Sequence, residues 1–226
     1  MKKVSDFLAH SKFLLYLCRR FCKTMSNDQR QYIIKTAGEM YFRLGIRSVS
    51  VDDICRELGI SKKTFYVYFE SKDALIEQLL EANLAFVERK MAEMLSSEDF
   101  RKVISAVVAH QRDKETKDDV RRVPQLVYDL KKYYPRLLED FQRKAFELQR
   151  KYIAQFLERG IANGLVRANL NIELTSVLFA KIYSDALRDF ELMEAHGHNV
   201  VQLSRVAMDV CIRGVLSEEG LKLYNI

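Results

Sequence analysis

Apolar side chains recur at helical spacing along most of the chain. From Ile33 to Leu44 they fall at positions i, i+4, i+7, i+8 and i+11, which predicts an amphipathic helix. Gly45 follows at the position where a left-handed cap residue is favoured, so the helix is expected to end there. From Val51 to Leu58 the spacing is i, i+3, i+4 and i+7, which predicts a second, shorter helix.

Two serines supply start signals for short helices in this region. Ser50, followed three residues later by Asp53, forms a capping-box pattern and predicts the start of the second helix. Gly59 is expected to end that helix, and Ser61 is expected to cap a third helix over residues 62–69. Two short helices joined by a tight glycine-containing turn predict a helix-turn-helix.

The two faces of the third helix differ in chemistry. At 100° per residue Phe65 and Phe69 share the inward face, whereas Lys63, Tyr66 and Val67 point outward. A lysine bonds guanine or phosphate oxygens, a tyrosine hydroxyl bonds phosphates, and valine or tyrosine carbon can touch a thymine methyl. The outward face therefore predicts a helix that reads DNA in the major groove.

Further contact candidates flank this face. Lys62, Thr64 and Tyr68 lie beside it on the same helix. Ser71 and Lys72 stand at the start of a fourth helix, where backbone amides attract a phosphate and the lysine adds positive charge.

The rest of the chain carries helical periodicity without another local motif. A long fourth helix is expected to break near residues 96–99 and to be followed by a helix over 100–112. The charged run 112–119 predicts a loop, and Pro124 predicts a helix start at its first position. Pro135 predicts the start of a long helix that ends at Asn163 and Gly164.

Two more helices are predicted at the C-terminal end. Asn171 can cap a helix from 172 to about 194, which is apolar on two faces and is therefore expected to be buried on both. Asn199 can cap a last long helix to residue 216, on which Ala207 and Gly214 are small enough to let another helix come close.

Composition supports an all-α fold. Only 2 Pro and 8 Gly occur in 226 residues, which argues for long helices and few tight turns. The net charge is +6, and the excess lies in the first 72 residues, which suggests an anionic partner at that end. No apolar run is long enough for a transmembrane helix, so no membrane partner is expected.

Enzyme and metal signatures are lacking in the sequence. The nucleophile-elbow, zincin, P-loop and dinucleotide-binding patterns do not occur, so the chain is expected not to be an enzyme and to need no cofactor. The four cysteines and four histidines show no zinc-ligand spacing, which predicts no metal site and thiols in a reducing cytoplasm.

Residues 1–26 read as an N-terminal extension with a net charge of +5. A cleaved signal is disfavoured because two arginines end the short apolar stretch and no small-residue cleavage site follows. An amphipathic extension and a translation start at Met25 both stay open.

The run SVSVDDICRELGISKKTFYVYFESKDALIEQLL resembles the DNA-binding domain of TetR-family transcriptional regulators. The resemblance covers about fifty residues from Arg30 to Leu80 and joins caps, core positions and contact positions. It implies a helix-turn-helix domain over 27–72 and a helical bundle for ligand binding and dimerisation over 73–226. The residues that it implies as DNA contacts are Ser50, Lys62, Lys63, Thr64, Tyr66, Tyr68 and Lys72.

The same resemblance implies a homodimer on a palindromic duplex DNA operator, with helices 172–194 and 199–216 forming a four-helix interface. It implies a repressor released by a small-molecule effector of unknown identity. The candidate pocket residues are aromatic: Tyr128, Phe141, Tyr152, Phe179 and Tyr183. Aromatic stripes at helical spacing also form ordinary cores. The alternative function is a helical ligand-carrier or protein-interaction module that no longer binds DNA.

Overall fold

A computed structural model describes residues 29–112, 117–188 and 200–224 of the 226-residue chain. The predicted extension 1–26 and the predicted cap Asn199 lie outside the described residues. The described residues form ten helices and are all-α apart from one isolated bridge between Val166 and Leu216. The helices are α1 (Gln29–Leu44), α2 (Val51–Leu58), α3 (Lys62–Tyr68), α4 (Lys72–Leu95), α5 (Phe100–Arg112), α6 (Lys117–Tyr133), α7 (Pro135–Ala162), α8 (Ile172–Arg188), α9 (Val200–Val215) and α10 (Glu218–Tyr224).

The described residues fall into two compact units. The first unit contains residues 29–86 and 117–141, and the second contains residues 87–112, 142–188 and 200–224. The first unit thus joins α1–α3 to the start of α4, to α6 and to the start of α7. The predicted functional boundary at residue 72 stays a prediction.

The local signals of the helix-turn-helix appear as predicted. Gly45 and Gly59 have φ angles of +83° and +64°, which are left-handed conformations that glycine adopts without strain. Ser50 and Asp53 form a full capping box at the start of α2. The Ser61 hydroxyl accepts a hydrogen bond from the backbone N–H of Thr64 and so caps α3.

The region around Pro124 differs from the prediction. Helix α6 begins at Lys117, so residues 117–119 are helical and Pro124 lies inside the helix rather than at its start. The charged run that suggested a loop therefore contains a helix start.

The second unit is built around one apolar cluster. Phe100 and Phe156 lie at its centre, with ring centroids 5.1 Å apart. Helix α7 ends as predicted at Asn163 and Gly164, and Asn171 caps α8 by accepting a hydrogen bond from the backbone N–H of Leu174. Helix α9 packs on α8, and α10 packs on α5. The C-terminal helices thus share one core with α5 and α7.

Candidate nucleic-acid interface

Helix α3 is anchored by two aromatic side chains. Phe65 and Phe69 are 0% and 1% exposed, and their ring centroids lie 5.6 Å apart. Both were predicted on the inward face, and the structure confirms that assignment. Because the anchor is fully buried, the outward residues of α3 occupy fixed positions on the first unit.

The outward face of α3 is open. Tyr66 is 52% exposed, Val67 is 74% exposed, and Lys63 is exposed beside them. Within the described part of the chain, Lys63 has no acidic partner within ion-pair distance. This surface, which we call the reading face (Lys63, Tyr66 and Val67), therefore combines an unpaired cation, a phenol hydroxyl and a bare aliphatic group.

Two of the three flanking candidates already contact other side chains of the protein. The ammonium of exposed Lys62 lies 2.7 Å from a carboxylate oxygen of Asp52, so this cation is partly neutralised by α2. The Thr64 hydroxyl lies 2.9 Å from the Ser61 hydroxyl at the helix cap. Tyr68 is half-buried. Lys62 and Thr64 would therefore have to exchange or share a contact to reach a phosphate.

Ser50 is already used in the fold. Its hydroxyl accepts a hydrogen bond from the backbone N–H of Asp53 and donates to the Asp53 carboxylate. These hydrogen bonds from Ser50 hold the pKa of the Asp53 carboxyl below its usual range. The predicted role of Ser50 as a phosphate contact stays a prediction, and its observed role is to cap α2.

Lys72 points inward instead of lying free at the surface. Its ammonium donates a hydrogen bond of 2.6 Å to the backbone carbonyl of Ile46 and lies 5.6 Å from the centroid of the Tyr41 ring. Burial lowers the pKa of the Lys72 ammonium, against the nearby carboxylates, which raise it. The cation is therefore tied to the loop between α1 and α2.

The aromatic residues predicted for a ligand pocket lie in different surroundings. Tyr128 is 42% exposed on α6, where its hydroxyl accepts a hydrogen bond from Lys132, so it lies at the surface. Phe141 is buried in the first unit, and Tyr152 and Phe179 are buried in the apolar cluster of the second. Tyr183 lies on α8, and its side chain is outside the described residues. The pocket stays a prediction.

Helices α8 and α9 carry a second open surface of a different kind. Four large aliphatic side chains are more than half exposed there, and we call them the aliphatic face: Leu174, Leu178, Val206 and Val210. Gly214 lies near the end of α9, and a Cβ built there would meet nothing within 4 Å. Phe179 and Ala180 are buried on the other side of α8, so burial is found on one of the two apolar faces, and burial of the second face stays a prediction.

One polar residue of the first unit was missed by the sequence analysis. Asp129 on α6 is only 2% exposed and accepts a hydrogen bond of 3.0 Å from the backbone N–H of Arg47. A signal for it exists in the sequence, because Asp129 stands three residues after Leu126 and next to Leu130 on an apolar stripe. An acidic residue in such a stripe is buried only where it has partners.

The profile of the family described as "Bacterial regulatory proteins, tetR family" matches residues 33–79. This range contains α2, α3, the reading face and the left-handed Gly45 and Gly59. This part of the chain is similar to the bacterial regulatory proteins of the TetR family.

Curated proteins that resemble this chain most strongly match only about a quarter of it. The HTH-type transcriptional regulator EthR of Mycobacterium tuberculosis is 36% identical over 63 residues, which is 28% of this chain and 29% of that protein. The HTH-type transcriptional repressor KstR2 of Mycolicibacterium smegmatis is 23% identical over 157 residues, covering 65% of this chain and 72% of that protein. The chain spans less than a third of the length of the relatives with the stronger matches.

Solved structures share the fold of this chain along most of its length. One is a protein from Saccharomonospora viridis in complex with choline, which superposes with a TM-score of 0.63 at 20% identity over 85% of this chain and 100% of that chain. At this identity the likeness shows the common helical fold, and the bound choline belongs to that protein.

Two negative findings apply to residues 29–112, 117–188 and 200–224. No helix in these ranges is long and apolar enough to cross a membrane. The same ranges hold no group of three or more histidine, cysteine or acidic side chains placed to bind a metal ion.

Proposed function

We propose that the protein is a dimeric transcriptional regulator in the cytoplasm, a repressor that binds a palindromic DNA operator and is released by a small-molecule effector. The observation that carries the proposal is the reading face, in which Lys63, Tyr66 and Val67 stand exposed on a helix anchored by fully buried phenylalanines. It is not proposed to be an enzyme.

The chemistry of the reading face suits a DNA groove. Lys63 supplies an unpaired cation for a phosphate or for guanine oxygen and nitrogen. The Tyr66 hydroxyl supplies a phosphate contact, and the exposed Val67 side chain supplies a surface for a thymine methyl. Because Phe65 and Phe69 fix the helix, these groups need little ordering when DNA binds, and this lowers the entropic cost of binding.

Dimerisation is supported by the aliphatic face. Four large aliphatic side chains exposed together on two adjacent helices form the kind of surface that soluble proteins cover with a partner. A second copy is the proposed occupant because a single seven-residue recognition helix reads only a few base pairs. Two helix-turn-helix domains related by a two-fold axis double the number of base pairs that are read and match a palindromic operator.

The direction of regulation and the effector rest on relatives. KstR2 is named a repressor, and the Saccharomonospora viridis protein was solved with choline. For this chain we propose repression relieved by a small molecule held among buried aromatic residues of the second unit, with Tyr152 and Phe179 as candidates. The effector of this chain is a small molecule of unidentified class.

The test is footprinting of the DNA beside the protein's own gene, with and without cell extract. We expect one protected palindrome, protection lost when extract is added, and an affinity that falls steeply with salt. The variant Lys63→Ala/Tyr66→Ala is the matched control, and it should not protect the palindrome. If the wild-type protein showed no salt-dependent affinity for any duplex, the function as a ligand carrier or protein-interaction module would replace this proposal.

A further inference from the structure

The loop between α1 and α2 contains one peptide group that is held from both sides. The carbonyl of Ile46 accepts a hydrogen bond of 2.6 Å from the Lys72 ammonium at the start of α4. The N–H of the same peptide, which belongs to Arg47, donates a hydrogen bond of 3.0 Å to the Asp129 carboxylate on α6. Three elements far apart in sequence therefore meet at a single peptide bond.

The charges at this peptide are arranged to match its dipole. In a trans peptide the carbonyl and the N–H point in opposite directions, with negative partial charge on the oxygen and positive on the hydrogen. A cation lies at the oxygen and an anion lies at the N–H. Hydrogen bonds with one ionised partner are about twice as strong as neutral ones, so this peptide is held by two of the stronger kind.

Asp129 is fitted closely into this position. Its other carboxylate oxygen accepts a hydrogen bond of 2.9 Å from the Gln125 side chain, so both oxygens are used. Gly45 makes room for the carboxylate, because a Cβ there would lie 3.0 Å from it. The Arg47 guanidinium also lies 4.8 Å from the centroid of the Tyr133 ring on α6. Both the backbone and the side chain of Arg47 thus contact α6.

We propose that Lys72 and Asp129 are positioning residues that clamp the Ile46–Arg47 peptide and thereby set the placement of α2 and α3 for operator binding. The clamp rests on the proposed function for its effect on DNA, but it exists in the free protein. In this proposal the Lys72 ammonium binds the carbonyl of Ile46 in the loop and not a phosphate. The Asp129 hydrogen bond to Arg47 connects α6 directly to the loop that precedes α2.

A phosphate contact and a clamp predict different effects on DNA affinity when Lys72 is replaced. A phosphate contact acts on every sequence, so its removal lowers affinity for operator and random duplex alike and reduces the salt slope by about one. A clamp acts by ordering the reading face, so its removal weakens the operator complex and leaves random duplex nearly unchanged. Asp129 separates the roles further, because simple electrostatics expects removal of a negative charge to strengthen DNA binding.

The first measurement uses the full chain without DNA. Amide hydrogen exchange of Arg47, resolved by NMR, is compared between wild type, Asp129→Ala and Lys72→Met. We expect exchange of this amide to quicken by about tenfold or more in both variants. Asp129→Asn keeps an acceptor oxygen and Lys72→Arg keeps a cationic donor, so each should restore much of the protection. Unchanged exchange in both Asp129→Ala and Lys72→Met overturns the clamp.

The second measurement compares operator and random duplex over a range of salt. We expect Asp129→Ala and Lys72→Met each to weaken operator binding on the order of tenfold with the salt slope unchanged, and the double variant to lose little more, because both act on one peptide. Lys63→Ala should instead reduce the slope. Glu77→Gln removes an exposed negative charge from the same unit and should not weaken binding.

The outcomes separate this inference from the proposed function. Tighter DNA binding by Asp129→Ala, or equal weakening of operator and random duplex by Lys72→Met with a lower salt slope, overturns the clamp and leaves the regulator intact. If wild-type protein bound no duplex, the proposed function would fail, and Arg47 exchange would still decide whether the clamp exists.

Discussion

The reading face on α3 and the aliphatic face on α8 and α9 are both exposed surfaces supported by buried side chains, but the first carries polar groups beside Val67 and the second is aliphatic at all four positions. The first presents Lys63 and Tyr66 above Phe65 and Phe69. The second presents leucine and valine side chains above the apolar cluster of the second unit. A polar surface is stably hydrated when it is exposed. The free energy of an exposed aliphatic surface falls when a partner removes it from water.

This difference determines what each surface can bind and how salt acts on it. Phosphate contacts release counterions, so binding through the reading face must weaken as salt rises. Burial of aliphatic side chains is not screened by salt, so association through the aliphatic face should change little over the same range. A salt titration therefore distinguishes the two surfaces in one sample, and substitutions in each surface test the comparison in turn.

The largest effect is expected from removing the support of the reading face. Phe69→Ala deletes a fully buried ring and should lower the free energy of unfolding of the first unit by about 3–5 kcal/mol, because a cavity remains where the ring was. Thermal and urea unfolding measure this loss. The aliphatic face lies in the other unit, so light scattering should still detect a dimer. A monomer would show that the two surfaces are not independent.

The second effect concerns the aliphatic face. Val210→Glu replaces an exposed side chain of the aliphatic face with a charge, and Ala207→Glu places a charge at a half-buried position of the same helix, so each should dissociate the dimer. A monomer has only one helix-turn-helix and loses the gain from bivalent binding, so operator affinity should fall by about a hundredfold or more. Light scattering and sedimentation at micromolar concentration report the oligomeric state.

Ala168→Glu is the matched control for this change, because Ala168 is exposed in the same unit but lies in the turn before α8. It should leave both dimer and operator affinity unchanged. A wild-type monomer that bound its operator tightly would contradict the use of α8 and α9 as an interface.

The third effect is confined to the reading face. Tyr66→Ala or Lys63→Ala should weaken operator binding about tenfold, which is the size of one lost base or phosphate contact. Neither side chain supports the core, since Tyr66 is half exposed and Lys63 is exposed, so the thermal midpoint should hold. Parallel titration and melting of the same samples measure both. A fall in stability equal to that of Phe69→Ala would reverse the assignment of the two faces of α3.

The helix-turn-helix was predictable because its signals are local. The Ser50 and Ser61 caps and the left-handed glycines act within four residues of their own position, and each appeared as predicted. The start of α6 was predicted wrongly because Pro124 is a common first residue of helices, whereas here it lies inside the helix.

The clamp was not predictable because its partners are distant in sequence. Asp129 is 82 residues from Arg47, and nothing at either position alone shows that they meet. Lys72 followed a pattern typical of a phosphate contact, and only the folded chain shows its ammonium on the Ile46 carbonyl. The effector could not be predicted from the sequence, because aromatic residues at helical spacing form the same pattern whether they line a cavity or fill a core.

The smallest effect provides the finest test of the aliphatic face. Gly214 lies near the end of α9, and within one protomer a Cβ added there meets nothing within 4 Å. Gly214→Ala should therefore raise the stability of the isolated protomer by up to about 1 kcal/mol, because alanine favours the helix more than glycine does. In the dimer the same methyl group should weaken association several-fold, if α9 crosses a partner helix closely at this point. Dilution series by sedimentation give the dimer constant, and melting of the monomeric Val210→Glu background gives the protomer stability. Stabilisation in that background with an unchanged dimer constant would move the crossing point away from Gly214 and towards Val206 and Val210.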